Sequence, residues 1–174
     1  SGHRNFLILP GGFAEAGAEG AVRDAELGAL AAAHGLTIAG PNCAGIIDLF
    51  NPAHRFAATF LRDLPKGGGA ALLSQSGAIA EEVIEKSHAL GIPVGVVVSI
   101  GNAMQLHVES YLEYCRDTAA CQVVLLYLES VSDEQRFIRV ARETARVKPV
   151  VALLGGRTQP GLRAARAHTG TPGW

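Results

Sequence analysis

Four apolar runs, Ala70–Leu73, Val94–Ile100, Val123–Leu128 and Val150–Leu154, recur at regular spacing through the second half of the chain. Val, Ile, Leu and Ala dominate them without polar alternation. Each therefore reads as a strand buried on both faces, the condition of a parallel sheet covered by helices. The segments between them carry helical spacing. They are Gly77–Leu90 (inward residues Ile79, Val83 and Leu90), His107–Arg116 (Val108, Leu112 and Cys115) and Asp133–Val147 (Phe137, Val140 and Ala141). Strands alternating with helices in this way predict βαβ crossovers and an α/β fold with a parallel sheet, of flavodoxin-like or Rossmann-like layering.

The first third holds only one such unit. Phe6–Leu9 reads as a strand closed by Pro10-Gly11-Gly12, Glu15–His34 as a helix stopped by Gly35, and Leu36–Ala39 as a second strand. Two parallel strands cannot cover their own faces. Residues 1–47 are accordingly expected to be the C-terminal part of a larger Rossmann-like domain. Residues 48–68, with Asn51-Pro52 and Leu64-Pro65-Lys66-Gly67-Gly68, read as a connection with a short turn of structure around Phe56–Leu61. Residues 69–174 then form the second domain. A fifth strand is expected after Leu154 and has no counterpart in 155–174, so this sheet is expected to be truncated too.

Composition narrows the function classes. Of 174 residues, 48% are apolar and 6% aromatic, and the net charge is −1. Neither the charge nor the aromatic content suits nucleic acid or an acidic membrane surface. No apolar run approaches the length of a membrane span. Cys43, Cys115 and Cys121 are odd in number and lack CxxC spacing, which suits a reduced, cytoplasmic protein. The six histidines show no paired spacing, so no metal site is expected. Exposed apolar edges at the two ends of the chain predict association with another subunit or copy.

In parallel α/β sheets ligands bind beyond the carboxyl ends of the strands. Those ends are Ser74-Gln75-Ser76-Gly77, Ser99-Ile100-Gly101-Asn102, Glu129-Ser130 and Gly155-Gly156-Arg157. Ser74, Gln75, Ser76 and Gly77 open a helix whose first N–H groups lack intrahelical partners. Such an end suits either a phosphate or an ordinary serine N-cap. Glu129 is either a functional carboxylate or simply the first exposed residue, or helix cap, after an apolar strand. His168 reads as a solvated histidine or as part of a loop folding over the same rim.

Seven motifs now fall in order: Gly12-Phe13-Ala14-Glu15-Ala16-Gly17, Gly40-Pro41-Asn42-Cys43-Ala44-Gly45, Leu73-Ser74-Gln75-Ser76-Gly77-Ala78, Ser99-Ile100-Gly101-Asn102, Leu126-Tyr127-Leu128-Glu129, Lys148-Pro149-Val150-Val151 and Ala167-His168-Thr169-Gly170. In this the chain resembles the nucleoside-diphosphate-forming acyl-CoA synthetases and is similar to the α subunit of succinyl-CoA synthetase. The resemblance implies interconversion of acyl-CoA, ADP and phosphate with a carboxylic acid, CoA and ATP through a phosphohistidine. It makes His168 the phosphorylated histidine, Glu129 the carboxylate orienting it, and Ser74 to Gly77 the phosphate-receiving helix end. Asn42 and Cys43 fall in the loop near the thiol end of CoA. ATP or ADP and Mg would be held by an ATP-grasp portion absent from this chain, which alone could not run the whole reaction. After Asn102 the family pattern carries aspartates, where this chain has Ala103-Met104-Gln105-Leu106-His107, and Thr171-Pro172-Gly173-Trp174 also departs from it. The runner-up expectation is a non-catalytic CoA-sensing or scaffolding domain of the same fold, attached for example to an acyltransferase.

Overall fold

The computed structural model describes residues 2–155. Two strands, β1 (Asn5–Leu7) and β2 (Thr37–Ala39), pair in parallel and are joined by α1 (Ala18–His34). Six more form one sheet: β3 (Gly45–Asp48), β4 (Phe56–Thr59), β5 (Ala70–Ser74), β6 (Val94–Ser99), β7 (Val123–Leu128) and β8 (Val150–Leu154). Their spatial order is β4-β3-β6-β5-β7-β8. The β6-β5-β7-β8 portion is parallel, and β3 and β4 add an antiparallel edge. The fold is thus α/β with a mainly parallel sheet.

The residues expected to connect the two halves include the end of β3 and the whole of β4. Their backbone is absorbed by the sheet, β3 lying antiparallel to β6 and β4 to β3. Phe56 and its neighbours on β4 are largely exposed, so burial leaves little periodic signal in that strand.

Strand β5 occupies the centre, and all five of its residues are buried. Its alternate side chains feed two cores. Ala71 and Leu73 pack with Val96, Val98, Val124 and Leu126 beneath α3 (Val108–Asp117) and α4 (Glu134–Ala145). Ala70 and Leu72 pack with Val94 and Val97 beneath α2 (Gly77–Leu90). The chain leaves β5 by α2 toward β6, then returns by α3 across β5 to β7. Reversal of direction places α2 on one face and α3 and α4 on the other. The point of reversal is where such sheets open a crevice at their carboxyl ends.

Two helices differ from their expected form. In α2 the inward residues are Ala80, Ile84 and Ser87, whereas Ile79 and Val83 are half-buried and Leu90 is 71% exposed. The buried stripe is rotated by one residue from the one expected, with Ala80 and Ile84 in the core formed with Val94 and Val97. The expected helix from Glu15 is broken: a 3-10 turn, Ala14–Ala16, precedes α1, with Gly17 between them at φ +82°. The Glu15 carboxylate holds this break, accepting the N–H groups of Gly12 at 2.5 Å and Phe13 at 3.2 Å.

Candidate functional site

The carboxyl ends of β5, β6 and β7 lie level, since Ser74 pairs with both Ser99 and Tyr127. After Ser74 the chain turns into α2 with Ser76 as its N-cap, the Ser76 hydroxyl accepting the Ile79 N–H at 3.4 Å. The N–H groups of Gly77 and Ala78 have no partner inside the helix and point out of its positive end. Ser74 lies behind this turn, fully buried. Its hydroxyl donates to the Ser76 carbonyl at 2.7 Å and accepts the Ser76 N–H at 3.1 Å, so it shapes the turn.

A cavity of about 310 Å³ faces this helix end, lined by Asn42, Cys43, Gln75, Ser76, Gly77 and Asn102 among others. Five of the residues expected at the site thus share one pocket. The opposite wall is the loop 40–45, held by the Ala44 N–H donating to Ser99 Oγ at 2.8 Å and the Asn102 N–H donating to the Pro41 carbonyl at 2.9 Å. Close approach explains two glycines here. A Cβ on Gly77 would lie 3.0 Å from that of Ala44, and one on Gly101, at φ +64°, would lie 2.2 Å from the Pro41 carbonyl oxygen.

Cys43 is buried, its thiol donating to the Ile8 carbonyl at 3.4 Å. Burial pushes the thiol up, against a weaker pull from the Gly45 backbone, so it stays neutral rather than competing as a nucleophile.

Gln75 holds the neighbouring strand end. Its Oε1 accepts the N–H groups of Glu129 at 2.5 Å and Ser130 at 3.0 Å, and its Nε2 donates to the Ser130 carbonyl at 2.8 Å. This strap fixes the turn that carries Glu129. Among the described residues the Glu129 side chain is held from one side: Tyr127 donates its hydroxyl to Oε1 at 3.3 Å. Burial, then the adjacent carboxylate, pushes the Tyr127 phenol up, so it remains a donor. Glu129 is 7% exposed, and its Oε2 is buried with no hydrogen-bond partner among the described residues. A carboxylate oxygen in that state is an open place for one N–H donor. Gly155 lies alongside, where a Cβ would come within 2.9 Å of the Tyr127 hydroxyl oxygen. His168, Gly156 and Arg157 lie outside the described residues.

Sequence reasoning missed the clamp beneath the pocket. Asn102 donates through Nδ2 to Glu15 and accepts through Oδ1 from Asn42 Nδ2 at 3.1 Å. Gln105, in the segment 103–107 that departs from the family pattern, accepts the Ile38 N–H at 2.7 Å. Burial raises the Glu15 carboxyl, but the hydrogen bonds from Asn102, Gly12 and Phe13 outweigh it and leave the carboxyl below its ordinary range. The signal available was the position of Glu15 between two glycine-bearing turns.

Fold and site together define a mainly parallel α/β domain in which an α-helix N-terminus facing a cavity and a buried carboxylate stand at neighbouring strand ends. The chain belongs to the succinyl-CoA ligase like flavodoxin domain family, whose model matches residues 67–172. It is 42% identical over 165 residues to acetate–CoA ligase (ADP-forming) I of Archaeoglobus fulgidus, covering 95% of this chain and 24% of that protein. It is 37% identical over 170 residues to the α subunit of acetate–CoA ligase (ADP-forming) II of Pyrococcus furiosus, covering 98% of this chain and 36% of the relative. Among solved structures, an acetyl-coenzyme A synthetase 1 of Ca. Korarchaeum cryptofilum in complex with phosphate and ADP superposes with a TM-score of 0.87 at 30% identity, over 98% of this chain and 36% of that one. The chain thus spans between a quarter and somewhat over a third of the length of these relatives.

Proposed function

We propose that this chain is the histidine-bearing portion of an ADP-forming acyl-CoA synthetase. Phosphate bound at the N–H groups of Gly77 and Ala78 attacks the thioester carbonyl of an acyl-CoA. The C–S bond breaks, and CoA leaves as the thiol, giving an acyl phosphate. An imidazole nitrogen of His168 then attacks phosphorus; the P–O bond to the acyl group breaks, and the carboxylate departs. Attack needs a neutral ring with one lone pair free and its proton on the other nitrogen. Glu129 Oε2 is the acceptor for that N–H, and it stabilises the imidazolium-like charge as the N–P bond forms. Transfer from phosphohistidine to ADP completes the cycle and regenerates the free imidazole.

The observation that carries this reading is the buried Glu129, half-satisfied among the described residues, beside a helix end that faces a cavity. The loop 40–45, with Asn42 and Cys43 in the wall of the same cavity, would receive the thiol end of CoA. Nucleotide and Mg would be held by an ATP-grasp partner. The exposed Val151 and Leu153 of β8 offer an apolar face for association with that partner or a further copy. The non-catalytic reading draws support from the loop after Asn102, which lacks the aspartates of the family pattern and whose Gln105 accepts the Ile38 N–H.

The test is phosphoryl transfer from acetyl phosphate to the protein, read by intact mass and acid lability. An acid-labile phosphate that is absent in His168→Ala supports the reading. A folded protein that takes no label, as the full-length product, supports the non-catalytic alternative.

A further inference from the structure

A second cavity, of about 360 Å³, adjoins the first, and Gln75 and Asn102 line both. Glu109, in the first turn of α3, lines this second cavity and is only 1% exposed. Its Oε1 is buried without a hydrogen-bond partner among the described residues, and none of their cations forms an ion pair with it. The steps proposed for phosphoryl transfer do not use it. Other polar groups around the cavity are already committed. The Gln75 amide is taken by Glu129 and Ser130, the Asn102 amide by Glu15 and Asn42, and His107 Nδ1 lies 3.2 Å from Ser132 Oγ. A buried carboxylate oxygen with no donor is costly unless a donor arrives with a ligand.

We propose that this second cavity is the acyl-tail subsite and that Glu109 selects acids whose tail carries a hydrogen-bond donor, such as a hydroxyl, while rejecting tails that end in a second carboxylate. The proposal rests on the reading of the first cavity as the place where the reacting carboxyl meets phosphate. With that carboxyl in the first cavity, next to the phosphate at Gly77 and Ala78, the tail continues past Gln75 and Asn102 toward Glu109. A hydroxyl there supplies the missing donor. An alkyl tail leaves the oxygen bare, and a second carboxylate brings like charge into a poorly solvated space, where repulsion is strong. A site with a buried acceptor discriminates against ligands lacking the matching donor far better than an apolar pocket discriminates by size.

The experiment is equilibrium binding of 4-hydroxybutanoate, butanoate and butanedioate to the full-length protein by ligand-observed NMR, with no CoA or nucleotide present. The three acids share a chain length and differ at the far end. The hydroxy acid should bind about 10-fold tighter than butanoate, the value of one hydrogen bond to a charged acceptor, and butanedioate should bind most weakly. Glu109→Leu should abolish the preference for the hydroxyl. Glu109→Gln, which keeps a carbonyl acceptor and loses the charge, should retain part of that preference and admit butanedioate. If the leucine variant fails to fold, the wild-type order and the glutamine variant decide. Equal binding of the hydroxy and plain acids, no binding of any acid, or an order unchanged in both variants overturns the proposal. Binding is read without turnover, so the two readings fail separately. Labelling of His168 without the predicted order sinks the subsite alone, and the predicted order without labelling sinks the phosphoryl-transfer reading alone.

Discussion

Gln75 and Glu129 meet across the reversal point of the sheet: the side-chain Oε1 of Gln75 accepts the backbone N–H of Glu129 at 2.5 Å. The residue between the two serines of the helix turn therefore fixes the carboxylate on the neighbouring strand end. The helix end and the buried carboxylate are set relative to each other by one amide.

Replacing that amide tests the coupling. Gln75→Ala leaves the N–H groups of Glu129 and Ser130 and the Ser130 carbonyl without their partner. It should destabilise the fold by about 1–3 kcal/mol, measured by urea denaturation. Phosphohistidine formation should slow in protein that remains folded, because the Glu129 turn loosens while Glu129 itself is retained. An unchanged labelling rate would show that Gln75 does not position the carboxylate.

Gly101 is held where other residues do not fit. Its φ of +64° and the 2.2 Å approach that a Cβ would make to the Pro41 carbonyl oxygen mean that Gly101→Ala must displace the loop 40–45. The expected loss is about 1–3 kcal/mol, with weakened CoA binding as the functional sign. Melting and CoA titration of the variant would check both.

The clamp at Glu15 carries a pH dependence. Its carboxyl is below the ordinary range in the folded protein, so the stability it adds is present above the unfolded pKa and is lost as pH falls through the folded one. Stability measured from neutral to acid pH should therefore fall less steeply in Glu15→Gln than in the wild type. Parallel curves would remove Glu15 from the account.

Much of the sheet was legible because its central strands are buried on both faces. Val123–Leu128 and Val150–Leu154 have the expected bounds, and Ala70–Ser74 and Val94–Ser99 differ by one residue at their ends. The rim residues followed from that, since ligand-binding ends are fixed once the strands are. Strand β4 was illegible because Phe56, Ala57 and Ala58 are exposed and leave no pattern of burial. The face of α2 was misplaced by one residue because Ala80, which is fully buried, carries too little apolar surface to mark its side. The Glu15–Asn102 pair could not be read, since 87 residues separate its members and only the fold brings them together.

The three thiols give a simple check of the interior. Burial pushes Cys43 up, whereas the neighbouring Cys115 thiol, opposed by burial and helped by Lys148, pulls Cys121 down. All three are nonetheless buried. Iodoacetamide at neutral pH should leave them unmodified in the native protein and alkylate all three after unfolding, as read by intact mass. Rapid native labelling of Cys121 would show that the floor of the sheet is more open than described.

The most direct measurement of the central claim is the rate at which acetyl phosphate labels His168 in the wild type and in Glu129→Gln. Glutamine keeps the shape and the Tyr127 contact but loses the charge that supports the imidazolium. The account predicts that the acid-labile label forms in the wild type, is absent in His168→Ala, and forms about 100-fold or more slowly in Glu129→Gln, as expected for removal of a group acting with the nucleophile. Equal rates in the wild type and Glu129→Gln would contradict it, and would leave the buried carboxylate without the role assigned to it.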